Sequence, residues 1–241
     1  MLMYKAGKLR AKFEAQNPAK ENLKRPEGNT RHTPNEGKQT YAVGHLALGY
    51  LTGKLTSRFL KVDANVPLLF VLSIISDTDL LIPHLAHRGP THSIVILLLL
   101  SIPAFILYQK RAFPYFVALA QHSIAGDYLT GEGIQLLWPL SRTWYTSAGI
   151  GMASPTNILT EWALFLASAA TMLTAKDAHA LSQEHPSNLL LSVPVLTVLL
   201  PSLFHFPLHV PPELLIPHMV FLGLFGPSIL VDLLRIFRDE R

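Results

Sequence analysis

From residue 41 onward, the chain alternates long apolar runs with short polar stretches. The runs cover residues 41–56, 66–82, 93–108, 112–127, 157–174, 189–206 and 213–234. Their length and continuity predict helices, although several are shorter than the ~20 residues that an upright membrane crossing needs, so one or two of them are candidates for re-entrant segments. We predict an all-α, polytopic membrane helix bundle of about five to seven segments.

Composition supports this class. The chain is 49% hydrophobic and 15% charged, which is too apolar for an ordinary soluble domain. In the first run, Gly49 and Gly53 form a pair of small residues that lets another helix approach closely. Cysteine is absent from the sequence, which excludes disulfides and thiolate metal sites. A metal ion would have to be held by His, Asp or Glu.

Residues 1–40 differ from the rest of the chain. They carry nine Lys or Arg against four Glu, whereas residues 41–241 carry eleven against twelve acidic residues. Proline and glycine interrupt this segment, which predicts a disordered basic extension, with a short amphipathic helix over residues 5–13 as the alternative. Because the excess of basic over acidic residues is confined to this tail, we expect no specific nucleic-acid partner. Residues 41–241 form the predicted membrane domain, with the metal-site core at 41–140 and additional membrane helices at 141–241.

A polar cluster interrupts the apolar pattern between the second and third runs. Three histidines, one arginine and two aspartates stand within 17 positions there. Such groups are costly between apolar segments unless they face one another, a metal ion or water. They are Asp77, Asp79, His84, His87, Arg88 and His92.

Chain direction predicts that this cluster meets other polar groups. If consecutive helices alternate in direction, the start of the first and third helices and the end of the second and fourth lie on one membrane face. The polar residues at those four places are His45, Asp77, Asp79, His92, His122 and Asp127. The short loop 109–111 falls on the opposite face. We therefore predict one convergent site.

Local geometry adds conditions to this prediction. Asp77 and Asp79 would point about 200° apart on a regular α-helix, so both reach one centre only if the helix unwinds. His122 and Asp127 would lie about 140° apart, and a local bulge or a helix end before Asp127 would bring them together. We expect Thr91 to cap the third helix, with His92 in its first turn.

A family resemblance is carried by several short motifs. They are Gly44-His45, Ser76-Asp77-Thr78-Asp79, His87-Arg88-Gly89-Pro90-Thr91-His92-Ser93, His122 to Asp127, and then Leu129-Thr130, Gly133 and Leu136-Leu137-Trp138-Pro139. Over residues 41–140 the chain resembles the YdjM/YbcI-like inner-membrane family, described as metal-dependent hydrolases, whose bacterial members include a LexA-regulated protein. The resemblance implies a hydrolase of unspecified substrate. It nominates His45, Asp77, Asp79, His87, His92, His122 and Asp127 as site residues.

The chain departs from that family pattern in two places. Ser123 stands four residues before Asp127, where the family has a histidine. Leu80 and Leu81 follow the second aspartate, where the family often has His-Pro. The first departure leaves open whether His122 is a ligand. The second leaves His84 as either a displaced substitute for the family's histidine or an incidental residue.

A mixed His and Asp donor set without cysteine suits zinc or manganese, as one or two divalent ions. The predicted ligands are His45, Asp77, Asp79, His92, His122 and Asp127. We expect hydrolysis of an ester or phosphoester, with Arg88 stabilising negative charge and His87 or Asp79 moving the proton. Location in the membrane suggests a lipid or lipid-linked substrate. The sequence does not indicate an oligomeric state.

Two other functions fit the same residues. Intramembrane His and Asp also build ion pathways, so a metal-ion or proton transporter is one alternative. A purely structural metal site is the other. The basic tail carries more charges and favours a cytoplasmic position for the site, whereas Lys110 and Arg111, in a shorter loop, favour a cytoplasmic position for the opposite face. The balance leans slightly to a cytoplasmic site.

Overall fold

The computed structural model describes residues 41–129, 133–147, 151, 154–206 and 209–239. Within these ranges the chain forms eight helices and no strand, which confirms the all-α prediction. The helices are α1 (Ala42–Leu60), α2 (Val66–Leu72), α3 (Ile94–Tyr108), α4 (Phe113–Gln121), α5 (Pro155–Thr174), α6 (Asp177–Leu181), α7 (Pro186–Leu203) and α8 (Leu215–Asp239). The predicted extension at residues 1–40 lies outside the described residues.

Helix α1 is the centre of the bundle and packs against α2, α4 and α5. Glycine makes this close packing possible. A Cβ added at Gly49 would lie 2.1 Å from Cβ of Ser73, and one added at Gly53 would lie 2.5 Å from Cδ2 of Leu69. The predicted pair of small residues therefore allows α2 and the residue after it, Ser73, to lie close to α1.

Aromatic side chains connect α1 and α2 to the C-terminal helices. Tyr50 of α1 stacks on Phe70 of α2 with ring centroids 5.3 Å apart. Phe70 in turn packs against Phe221 and Phe225 of α8, at 5.9 and 4.8 Å. All four rings are fully buried. Buried aromatic rings contribute large apolar areas, so this cluster anchors α8 to the centre of the bundle.

Among the described residues, three helical stretches are long and apolar enough to cross a membrane: Ile94–Tyr128, Pro186–Leu203 and Pro212–Arg238. The first is folded back on itself. A straight helix of its 35 residues would be about 52 Å long, yet His92 and Asp127, which flank its two ends, lie within 3.2 Å of each other. The chain reverses at Gln109, whose φ is 50°, and the Phe105 ring packs on Phe113. Helices α3 and α4 therefore form an antiparallel hairpin.

The hairpin presents an apolar surface to its surroundings. Helix α3 has 15 residues and is about 22 Å long, short of the ~30 Å hydrocarbon core. Its most exposed side chains are Leu100, Ile106 and Leu107, each more than 70% exposed. A helix face that exposes several large apolar side chains suits contact with lipid.

The tight α1 packing predicts a stability effect with an internal control. We expect Gly49→Ala to lower the free energy of unfolding by about 1–3 kcal/mol, because the added methyl group collides with Ser73. Gly223→Ala in α8 is the matched control, since a Cβ there meets nothing within 4 Å. Chemical unfolding in detergent measures both variants, and equal effects at the two positions would contradict this packing.

Candidate metal centre

The α-helix unwinds before the two aspartates, as predicted, but only Asp77 reaches the Nε2 side of His92, and Asp79, a predicted ligand, lies on the other side of that ring. Helix α2 ends at Leu72, and Ile75–Leu81 forms a 3-10 helix. Asp77 and Asp79 then contact opposite sides of one ring. Asp77 Oδ1 is 3.5 Å from Nε2 of His92, and Asp79 Oδ2 is 3.3 Å from Nδ1 of His92.

The predicted bulge is present in the fourth helix. After Gln121 the chain continues as a π-helix over His122–Tyr128. A π-helix places residues five apart over one another, so it brings His122 and Asp127 to the same side. His122 Nε2 lies 3.5 Å from Asp127 Oδ2.

The segment between Arg88 and Ser93 differs from the prediction. Ser93, rather than Thr91, caps α3 by accepting a hydrogen bond from the Ile96 amide, so the predicted Thr91 cap is wrong. The Thr91 hydroxyl donates to Asp79 Oδ2 instead. His92 therefore belongs to the 3-10 turn Pro90–His92 that precedes α3, not to its first turn.

Four donor atoms from these elements form a compact cage. His92 Nε2 lies 3.1 Å from His122 Nε2 and 3.2 Å from Asp127 Oδ2, and His122 Nε2 lies 3.2 Å from Asp77 Oδ1. Two further pairs, each between a histidine Nε2 and an aspartate oxygen, measure 3.5 Å. Ligands of a tetrahedral ion with bonds of 2.0–2.1 Å are separated by about 3.3 Å. These five separations are close to that value, so donors of this set fit the positions around a divalent cation.

Hydrogen bonding directs the Nε2 lone pair of both histidines into this cage. His122 Nδ1 is 2.8 Å from the Ser73 carbonyl oxygen, which only accepts, so Nδ1 carries the proton. His92 Nδ1 faces two acceptors, the Asp79 carboxylate and the Thr91 oxygen, because the Thr91 hydroxyl hydrogen is already donated to Asp79. His92 Nδ1 therefore also carries a proton. A neutral imidazole protonated at Nδ1 offers Nε2 to a metal ion.

The charge balance also favours a cation. Asp77, Asp79 and Asp127 are buried, and Arg88 carries the fixed positive charge of the cluster, so with both imidazoles neutral, as in a metal site, two net negative charges remain. Burial disfavours the charged form of His92, yet hydrogen bonds to Asp127, Asp77 and Asp79 outweigh burial and hold the pKa of His92 well above its ordinary value. The cluster therefore attracts positive charge, which one divalent ion would supply.

His45 borders the cage. Its ring stacks on that of His122 with centroids 3.9 Å apart, and its Nε2 is 3.8 Å from Asp127 Oδ1. The ring fits because residue 126 is glycine, where an added Cβ would lie 2.1 Å from Cε1 of His45. His45, Asp77 and His122 together offer three donor atoms within 4.8 Å of one another. Because His122 Nε2 already belongs to the cage, a second ion would have His45 and Asp77 as the donors left on this side.

The remaining predicted residues surround the cage. Asp79 accepts a hydrogen bond from His87 Nδ1 at 2.8 Å and lies behind the His92 ring, away from the Nε2 donors. Arg88 has a φ of 62° and places its Nη2 3.0 Å from Asp127 Oδ1. The His87 side chain is 21% exposed and marks the accessible side of the cluster. His84 is exposed at the surface.

Several contributors are not visible in the sequence pattern. The Ser73 carbonyl orients His122, and a backbone group leaves no sequence signal. Gln121 donates to the His45 carbonyl oxygen. Glu161 of α5 is buried against Gly44, where an added Cβ would lie 2.4 Å from its Oε1. A single acidic residue within an apolar run is the sequence signal that could have found Glu161.

The family model described as YdjM inner membrane protein matches residues 41–206, which is more than half of the chain. The chain belongs to the YdjM inner membrane protein family. No curated protein and no solved structure matches it. The family match extends past residue 140, where the motif resemblance ends, through α5, α6 and α7. Membership and the three apolar helical stretches agree with the predicted membrane location.

The contact between Asp79 and His92 Nδ1 in this YdjM family member can be tested by substitution. We expect Asp79→Asn to weaken zinc binding by about 10–100-fold, because the carboxylate that fixes the His92 tautomer is lost while the four cage atoms remain. Competition with a chelator measures the affinity. Glu184→Gln, an exposed position paired with Arg238, is the control and should be unchanged. Equal zinc affinities in Asp79→Asn and the wild type would contradict this role of Asp79.

Proposed function

We propose that the protein is a membrane-embedded metal-dependent hydrolase that cleaves an ester or phosphoester. The observation that carries this proposal is the pair of Nε2 atoms 3.1 Å apart, flanked by two buried aspartates. Zinc and manganese suit this donor set. His92, His122 and Asp127 would hold the ion, with Asp77 beside them and one position left for water, as in three-ligand catalytic zinc sites. When bound, such an ion lowers the pKa of a coordinated water to about 7.

The surrounding side chains have distinct roles in this proposal. Arg88 places fixed positive charge beside Asp127 and stabilises negative charge that develops on the substrate. His87 Nδ1 donates to Asp79, which leaves His87 Nε2 to accept and return a proton. Because His87 is the most accessible of these side chains, the substrate approaches from its side.

Apolar residues near the site support a substrate from the membrane. Leu81 and Ile82 are exposed directly after the aspartates. Segment 133–147 is tied to the cluster by the Gln135 amide, which donates to the Arg88 carbonyl at 2.9 Å. It presents exposed Leu140 and Trp144. Such side chains suit the interface between headgroups and acyl chains, so we propose a lipid or a lipid-linked small molecule as substrate.

The position of the donors favours an enzyme over a transporter. The cage draws its atoms from the end of α2, the turn before α3 and the end of α4, and His45 is at the start of α1. These places lie at one end of the helices, as chain direction predicts. An ion pathway instead places its ligands near the middle of the membrane, commonly in two related halves of the chain.

A hydrolysis assay tests the proposal. Reconstituted protein is given bis(p-nitrophenyl) phosphate, p-nitrophenyl butyrate and a fluorescent phospholipid, with zinc or manganese present. We expect Asp77→Ala to abolish turnover. His87→Ala should lower kcat by about 100-fold and retain the metal, because it removes the proton carrier and leaves every cage atom in place. His179→Ala, an exposed histidine of α6, is the control.

The same proteoliposomes distinguish the alternatives. Unchanged turnover in folded Asp77→Ala would overturn the proposed mechanism. Metal-dependent ion flux without turnover of any of the three probes would favour the transporter. Bound metal with neither flux nor turnover would favour a structural ion.

A further inference from the structure

A cavity lies away from the metal centre, between α2 and the α3–α4 hairpin. Its volume is about 590 Å³. The walls are apolar, and they comprise Leu68, Leu72, Leu100, Ala104, Phe116 and Leu119. Leu100 is 72% exposed, so the cavity is bordered by the outward face of the hairpin. An apolar cavity of this size accommodates a chain-like apolar ligand.

The charged residues and the tyrosines of this cavity lie at one end, whereas Ser101 on the wall donates its hydroxyl hydrogen to the Leu97 carbonyl of its own helix. Asp63 precedes α2, Tyr108 ends α3, and Arg111 precedes α4. Tyr115 joins them, with its hydroxyl accepting a hydrogen bond from the Asn65 amide at 2.8 Å. The metal centre lies at the other end of the same three helices. The cavity is therefore apolar along its walls and carries one cation, one anion and two tyrosines at its mouth.

We propose that this cavity is a binding site for one phospholipid with a zwitterionic amine-phosphate headgroup. One acyl chain lies between α2 and the hairpin, the phosphate meets Arg111, and the headgroup amine meets Asp63. This inference is separate from the proposed hydrolase function. The headgroup lies at the end opposite the metal centre, so the bound lipid is a resident ligand and not the substrate.

Two observations specify this occupant. The exposed leucines and isoleucines of α3 face the acyl chains of a membrane, so the ligand most available to the cavity is an acyl chain. The mouth offers both charges, which complement an ammonium and a phosphate together and match a purely anionic headgroup less well. Tyrosine at the mouth is also typical of the headgroup level.

Native mass spectrometry of protein released from nanodiscs tests this site. The discs contain equal amounts of palmitoyl-oleoyl phosphatidylethanolamine and phosphatidylglycerol. We expect the wild type to retain phosphatidylethanolamine preferentially. Ala104→Trp should lower retention about tenfold by filling the cavity. Ile106→Trp is the matched control, because Ile106 is 71% exposed on the same helix and does not line the cavity. It should retain the lipid.

A second variant tests the headgroup contacts. The double variant Asp63→Asn/Arg111→Gln changes only exposed residues and should remove the preference for phosphatidylethanolamine. The site is overturned if the wild type retains no phospholipid, if both tryptophan variants lose it equally, or if the double variant keeps the preference. Bound metal, measured in parallel, should be unchanged in every variant, which separates this result from the hydrolase proposal.

Discussion

The structure depends on one electrostatic constraint: two imidazole Nε2 atoms 3.1 Å apart, facing each other in a buried cluster between carboxylates. The Nδ1 atoms of the same two rings donate to the Ser73 carbonyl and to Asp79, so each Nε2 carries a lone pair. The two facing lone pairs repel unless positive charge lies between them. Three buried carboxylates increase that requirement. Burying such a cluster is costly unless a cation compensates it, and a divalent cation fits the observed separations.

The fold holds this arrangement through departures from regular helix. The 3-10 helix after α2 turns both aspartates toward His92, and the π-helix after α4 turns Asp127 toward His122. The α3–α4 hairpin returns the chain so that both imidazoles meet. Glycine at 49 and 126 removes the Cβ atoms that would otherwise separate α1 from its neighbours. Irregular helix is common at functional sites, where side-chain placement outweighs regular hydrogen bonding.

The sequence was sufficient to predict the helical class, the face on which the polar groups meet, and the need for unwinding near Asp77 and a bulge near Asp127. These follow from helix periodicity and chain direction. It did not predict the hydrogen-bond partner of Thr91, because a threonine before an apolar run can cap the helix or bond to another side chain equally well. The contacts behind the imidazoles were also inaccessible, since the Ser73 carbonyl belongs to the backbone and Asp79 reaches His92 only through the local 3-10 geometry.

Metal content is the most direct test of the central claim. Elemental analysis would compare detergent-purified wild type, the Asp77→Ala/His92→Ala double variant and the exposed control His179→Ala. The structure predicts near-stoichiometric zinc or manganese in the wild type and in His179→Ala, and its loss from the folded double variant. Absence of bound metal from the wild type after cations are supplied, or equal metal in the wild type and the double variant, would contradict the assignment of the cage as a metal centre.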